Sequence, residues 1–235
     1  MTQTRIETIA LTDGSDMRVT VAEPEDTLRG GLVLLHDSSG VDERLNGLVA
    51  ALAVEGWLTV APHLTPSPGA RQDAEQTTPE DHDGDSGVAD AGQQVLGDVD
   101  AVSVWLVDKG VQADQIGLLG FGFGGVAAFT VAATRSVGAV VSVGAGGIIE
   151  PVTPGMAPLA DLAAELSCPW LGIYGDQDSD VPVDQVEKLR EAAAGAQVAI
   201  DVVSFAEEGH RFDEDQDAAA EAWQRTLNWF DAHLR

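Results

Sequence analysis

A chain of 235 residues with 44% hydrophobic side chains suits one α/β domain with a substantial core. Its 39 acidic side chains outweigh 12 Lys and Arg, and the net charge of −27 argues against nucleic acid and anionic membranes as partners. No apolar run of about 18 residues offers a transmembrane helix, the first residues carry no apolar signal segment, and a lone cysteine, Cys168, excludes internal disulfides, so a cytoplasmic protein is expected.

In chain order, Arg5–Leu11 and Met17–Glu23 alternate apolar and polar residues and predict an antiparallel hairpin turning at Asp13-Gly14. Gly31–His36 is a short continuous apolar strand, Glu43–Glu55 a helix and Trp57–Ala61 a strand. Residues 65–94 are rich in Pro, Gly, Asp and Glu, and predict a long acidic loop placed after a strand end, where it can cover a site. Ala91–Lys109 reads as a helix, Gln115–Phe121 as a strand and Phe123–Thr134 as a helix. Val137–Val143, Cys168–Tyr174 and Gln197–Phe205 complete the strands, and Pro182–Ala194 and Asp215–Leu234 the helices. Continuous apolar strands separated by helices imply a mostly parallel sheet covered on both faces, in one domain over 1–235.

Residues 116–129 read Ile-Gly-Leu-Leu-Gly-Phe-Gly-Phe-Gly-Gly-Val-Ala-Ala-Phe, a strand, a tight turn and a helix start. That is the shape of the nucleophile elbow G-x-S-x-G, with Gly120 and Gly124 at the outer positions. The centre, where Ser or Cys would stand, is Gly122. Two further features follow in the order nucleophile, acid, histidine. Asp178 lies in Tyr174-Gly-Asp-Gln-Asp-Ser-Asp-Val-Pro182 at a strand's C-terminal end, and His210 lies in Glu208-Gly-His-Arg-Phe212 after the next strand. Beyond the strand C-termini the three should meet, with the Asp fixing the tautomer of the His. Asp176 and Asp180 are alternative acids.

These motifs resemble the dienelactone hydrolase family of the α/β-hydrolase fold. The likeness lies in Gly175-x-x-Asp178-x-x-Val181-Pro182, in Gly209-His210-x-Phe212 with Ala222-Trp223-x-Arg225-Thr226-Leu227-x-x-Phe230, and in His36-Asp37-Ser38-Ser39-Gly40-Val41. It spans about Leu32 to the C-terminus outside the acidic loop. The resemblance implies hydrolysis of an ester or lactone without a cofactor. It also implies an oxyanion hole from the backbone N–H groups of Phe123 and Ser38. The chain departs from the family at Gly122. It departs again where the family's two substrate-holding arginines would stand, near Pro66 and at Glu214, with Arg71 or Arg211 as off-motif substitutes. A neutral substrate therefore fits better than an anionic one.

Each signal has a competing reading. Asp37 either reaches into the space left at Gly122, as a base or water-binding group, or is a turn residue capping the helix that begins near Glu43, with Asp42 the better cap. His36, Asp37, His63 and His82 lack metal-ligand spacing, so no metal is expected. Cys168 precedes Pro169 and reads as core. Gly120-x-Gly122-x-x-Gly125 also satisfies a dinucleotide fingerprint, but it follows several strands and the next strand ends without an acid. Three functions stay open: a weakened or disabled ester hydrolase, a ligand-binding module without turnover, and a cofactor-free His–Asp enzyme of another kind. The acidic, lysine-poor surface is equally that of a protein from a high-salt habitat or of an ordinary acidic one.

Overall fold

In a computed structural model, residues 3–11, 13–37, 40–64, 91–153, 155–210 and 214–234 are described. Eight strands form one sheet: β1 (Arg5–Ala10), β2 (Asp16–Ala22), β3 (Gly30–Leu35), β4 (Trp57–Pro62), β5 (Ile116–Phe121), β6 (Ala139–Val143), β7 (Trp170–Gly175) and β8 (Ile200–Phe205). Their spatial order is β1-β2-β4-β3-β5-β6-β7-β8. β1 pairs antiparallel with β2 and β2 with β4, and every later pairing is parallel. The expected hairpin is present: Gly14 takes φ +84 in its turn and Leu11 N–H donates to Ser15 O at 2.8 Å.

Among the described residues, six α-helices cover the sheet: α1 (Glu43–Val54), α2 (Ala91–Asp108), α3 (Phe123–Thr134), α4 (Leu159–Leu162), α5 (Val183–Ala193) and α6 (Gln216–His233). Strand side chains alternate between two cores. Val33, Leu35, Ile116, Leu118 and Trp170 pack toward α2, α3 and α5, whereas Leu32, Leu34, Leu119, Leu171 and Ile173 pack toward α1 and α6. Every residue of α3 from Gly124 to Ala132 is buried, the condition of a helix that is apolar all round. Phe129 of α3 meets Trp170 of β7 edge to face at 4.8 Å.

The structure shifts several expected boundaries. β7 starts at Trp170 rather than Cys168, because Pro169 has no N–H to give the ladder, although its carbonyl accepts from Val140 N–H. β8 starts at Ile200 rather than Gln197, since the ladder with β7 begins at Trp170↔Ile200. Of the expected loop over 65–94, residues 91–94 form the first turn of α2, and 65–90 lie outside the described residues. The short helix α4 was not anticipated, its four residues being too few for a periodic signal. No helix among the described residues is long and apolar enough to cross a membrane.

Candidate active site

A single residue, Gly122, separates β5 from α3, with φ +50 and ψ −116. Its own polar groups are occupied: Gly122 N–H donates to Val143 O at 2.9 Å, and its carbonyl accepts from Val126 N–H at 3.1 Å. The flanking glycines are required by backbone contact. A Cβ on Gly120 would lie 2.1 Å from Gly124 O, and one on Gly124 would lie 2.2 Å from Leu35 O. So tight a passage from strand to helix brings residue 122 up against the end of β3. Phe123 is the first residue of α3, where helix N–H groups lack intrahelical acceptors and the helix dipole favours negative charge.

Beyond β7 the chain turns through Asp178 before α5. Asp178 Oδ1 accepts from the N–H groups of Asp180 at 2.8 Å and Val181 at 3.2 Å, while Oδ2 lies 2.7 Å from His210 Nδ1. The Asp178 side chain is 1% exposed and that of His210 40%, so the carboxylate is anchored and the ring reaches toward solvent. An ionised carboxylate only accepts, so Nδ1 carries the hydrogen and Nε2 is left with its lone pair.

Backbone contacts between two loops make this pairing possible. Gln177 N–H donates to Glu208 O at 2.7 Å, and Glu207 N–H donates to Asp176 Oδ1 at 2.7 Å. A Cβ on Gly175 would lie 2.4 Å from the carbonyls of both Glu208 and Gly209, so the motif glycine permits the close approach. Glu207 takes φ +66, the one non-glycine positive φ among the described residues, at the bend that leads to His210. The three neighbouring aspartates thus divide their tasks: Asp178 holds His210, Asp176 braces the loop behind it, and Asp180 contributes its backbone N–H.

Asp37 follows β3 and faces the elbow: a Cβ at position 122 would lie 3.2 Å from Asp37 Cβ. The helix-capping alternative for Asp37 is overturned, because Asp42 caps α1 by accepting from Leu45 N–H at 2.8 Å. His36 is buried with both ring nitrogens engaged. Nε2 accepts from Leu64 N–H at 3.0 Å, so Nδ1 carries the hydrogen that it donates to Asp37 O. This pins Asp37 to the end of β4. Ser38 and Arg211 lie outside the described residues.

Gly122, His210, Asp37 and His36 line one cavity of about 320 Å³. It runs from the elbow down the sheet face between Leu45 and Leu48 of α1 and Ala219 and Trp223 of α6. Trp223 belongs to a motif read from the sequence, but Leu45, Leu48 and Ala219 were not singled out, since an apolar residue facing a cavity has the same periodicity as one facing core. Asp178, Asp180 and His210 also bring potential metal-ligand atoms within 4.8 Å of one another. Two of these residues are already bonded together, and Asp178 Oδ1 is taken by backbone N–H groups.

Cys168 is 2% exposed, and burial pushes its thiol up to about 12. A thiol so raised is a poor nucleophile. The folded protein is expected to leave dithionitrobenzoate unreacted over minutes, with one equivalent released on denaturation. Rapid release from the folded chain would reopen Cys168 as a reactive group.

The family model described as "Dienelactone hydrolase family" matches residues 17–234. A protein of Salmonella typhimurium assigned as a carboxymethylenebutenolidase is 30% identical over 231 residues, covering 92% of this chain and 83% of its own. A crystal structure assigned as a dienelactone hydrolase, from Klebsiella pneumoniae, superposes with a TM-score of 0.77 at 28% identity, covering 98% of this chain and 99% of that one. An esterase of Pyrococcus furiosus is similar in fold alone, with a TM-score of 0.74 at 13% identity, over 100% of this chain and 94% of that one. The architecture is the α/β-hydrolase fold.

Proposed function

The chain belongs to the dienelactone hydrolase family, and from that membership we propose that it hydrolyses a neutral ester or lactone by a water-mediated route suited to an elbow without a nucleophile. The observation that carries this reading is the 2.7 Å pairing of buried Asp178 with His210, whose ring lines the same cavity as Gly122. His210 Nε2 takes a proton from a water held in the space at Gly122, and the water oxygen attacks the substrate carbonyl. Asp178 orients the ring and stabilises the imidazolium that forms. The oxyanion is held by Phe123 N–H and, by family resemblance, by Ser38 N–H. Collapse expels the alkoxide, which takes the proton from His210. Asp37, beside position 122, is placed to help hold the water.

No acyl-enzyme forms on this route, so the chain as written should be slow and show no burst. Replacing His210 by alanine is expected to lower the hydrolysis of nitrophenyl acetate by roughly 10²–10⁴, the usual weight of a positioned general base. An unchanged rate in His210→Ala would remove this mechanism.

The glycine at 122 favours a second reading, a ligand-binding homologue without turnover. Its mark would be saturable binding with no hydrolysis, either in the chain as written or after Gly122→Ser.

A further inference from the structure

Part of the cavity lining belongs to α1, α6 and β5, away from the elbow glycine and His210. Between α1 and α6 the walls are Leu45, Leu48, Ala219 and Ala222, with Leu119 and Phe121 of β5 as the floor. Elsewhere this sheet face is closed by large rings, Trp57 and Phe230, whose centroids are 6.4 Å apart. Here α6 presents Ala219 and Ala222 beside Trp223, and the two small side chains leave space that larger ones would have filled. Two of the polar side chains along it are already occupied. Thr226 Oγ1 donates to Ala222 O at 2.9 Å, and His36 has both ring nitrogens engaged. The slot itself therefore offers contact mainly to carbon, with the indole N–H of Trp223 as a polar group beside it.

Charge at the mouth restricts the ligand further. Asp37 and Asp42 stand there, on a chain of net charge −27. Arg44, the only Lys or Arg among the described lining residues, is already engaged in an interaction of its own. A carboxylate would meet repulsion from Asp37 and Asp42.

We propose that the slot between α1 and α6 is the binding site for an uncharged aliphatic or aromatic tail of the substrate, placed so that the reacting carbonyl sits between Gly122 and His210. The position of the carbonyl rests on the hydrolase reading; the occupancy of the slot does not. The whole cavity, slot and reacting end together, is about 320 Å³, at the small end of ligand sites of roughly 300–1,000 Å³, and suits a small substrate.

The test uses ketones, which bind without being hydrolysed. Hexyl methyl ketone, ethyl methyl ketone and octanoate are titrated by calorimetry into the full chain and into Ala219→Phe, which fills the slot from a half-buried position. The long ketone should bind at least about tenfold more tightly than the short one, since four more methylenes leave water, and more tightly than octanoate. Ala219→Phe should abolish the preference for length while leaving the circular dichroism spectrum as it was. Leu48→Ala, which enlarges the slot, should move the preference to longer ketones. Equal affinity for both ketones, or a length preference that survives Ala219→Phe, overturns the proposal. If ketones bind as expected but no ester is turned over, the hydrolase reading fails and the slot stands. If nitrophenyl acetate is hydrolysed through His210 while the ketones show no length preference, the slot alone fails.

Discussion

Gly122→Ser and Gly122→Cys are expected to produce an ester hydrolase with a burst of product followed by steady turnover, at least about 10² faster than the chain as written. The direction follows from what surrounds the position. Asp178 and His210 are paired at 2.7 Å, α3 begins at residue 123, and the elbow's own backbone groups are satisfied. A hydroxyl or thiol would complete the Ser/Cys–His–Asp constellation and allow covalent catalysis. Where triads have been dissected, loss of the nucleophile costs of order 10⁶ in turnover, so about 10² is a low bar.

The same substitutions should cost stability. A side chain at φ +50 is strained whatever the space, by roughly 1–3 kcal/mol. The new Cβ would also lie 3.2 Å from Asp37 Cβ, which must give by a few tenths of an ångström. Asp37→Ala does not remove that Cβ, but Asp37→Gly does, and the double variant Gly122→Ser with Asp37→Gly should recover part of the lost melting temperature. Stopped-flow hydrolysis of nitrophenyl acetate and thermal unfolding read the two effects separately. A folded Gly122→Ser with neither burst nor turnover would sink the hydrolase reading and leave ligand binding.

Gly124→Ala is expected to be far more damaging to the fold than any change at 122, although both glycines belong to the same motif. A Cβ at 124 would meet Leu35 O at 2.2 Å, Leu35 C at 2.5 Å and His36 O at 2.6 Å, all backbone atoms at the end of β3. None is the tip of a flexible side chain, so α3 must separate from β3 to relieve the overlap. The cost should be roughly 3 kcal/mol or more, which in a domain of this size lowers the melting temperature by roughly 6–12 °C. Gly120→Ala, meeting Gly124 O at 2.1 Å, should be equally severe. A Gly124→Ala protein that melts within a degree or two of the parent would show that the strand-to-helix passage is looser than the geometry requires.

Much of the architecture was legible because it depends on local chemistry. Period-two apolar runs marked the hairpin, continuous ones marked the central strands, and Pro and Gly marked the turns. The misplaced ends, such as those of β7 and β8, fell where hydrophobicity continues past the last ladder bond. The order elbow, acid, histidine was also legible, since each motif is a short turn at a strand end.

The choice among Asp176, Asp178 and Asp180 rested on motif spacing until the structure showed one bonded to His210 and another bracing the loop behind it. That division depends on how two parallel strands align their following loops, a relation between residues some thirty positions apart, as in the 32-residue separation of His210 and Asp178.

The sequence by itself determined the kind of fold, the strand-to-helix elbow, the missing side chain at its centre and the presence of an acid and a histidine downstream, because backbone conformation and burial are encoded over a few neighbouring residues. Only the tertiary structure decided that Asp37 lies against the empty position, that His36 is tied at both nitrogens, and that Ala219 and Ala222 of α6 line one cavity with Leu45 and Leu48 of α1. These are distances between elements brought together by sheet order and helix packing, and a wall of a cavity carries the same apolar pattern as a wall of the core.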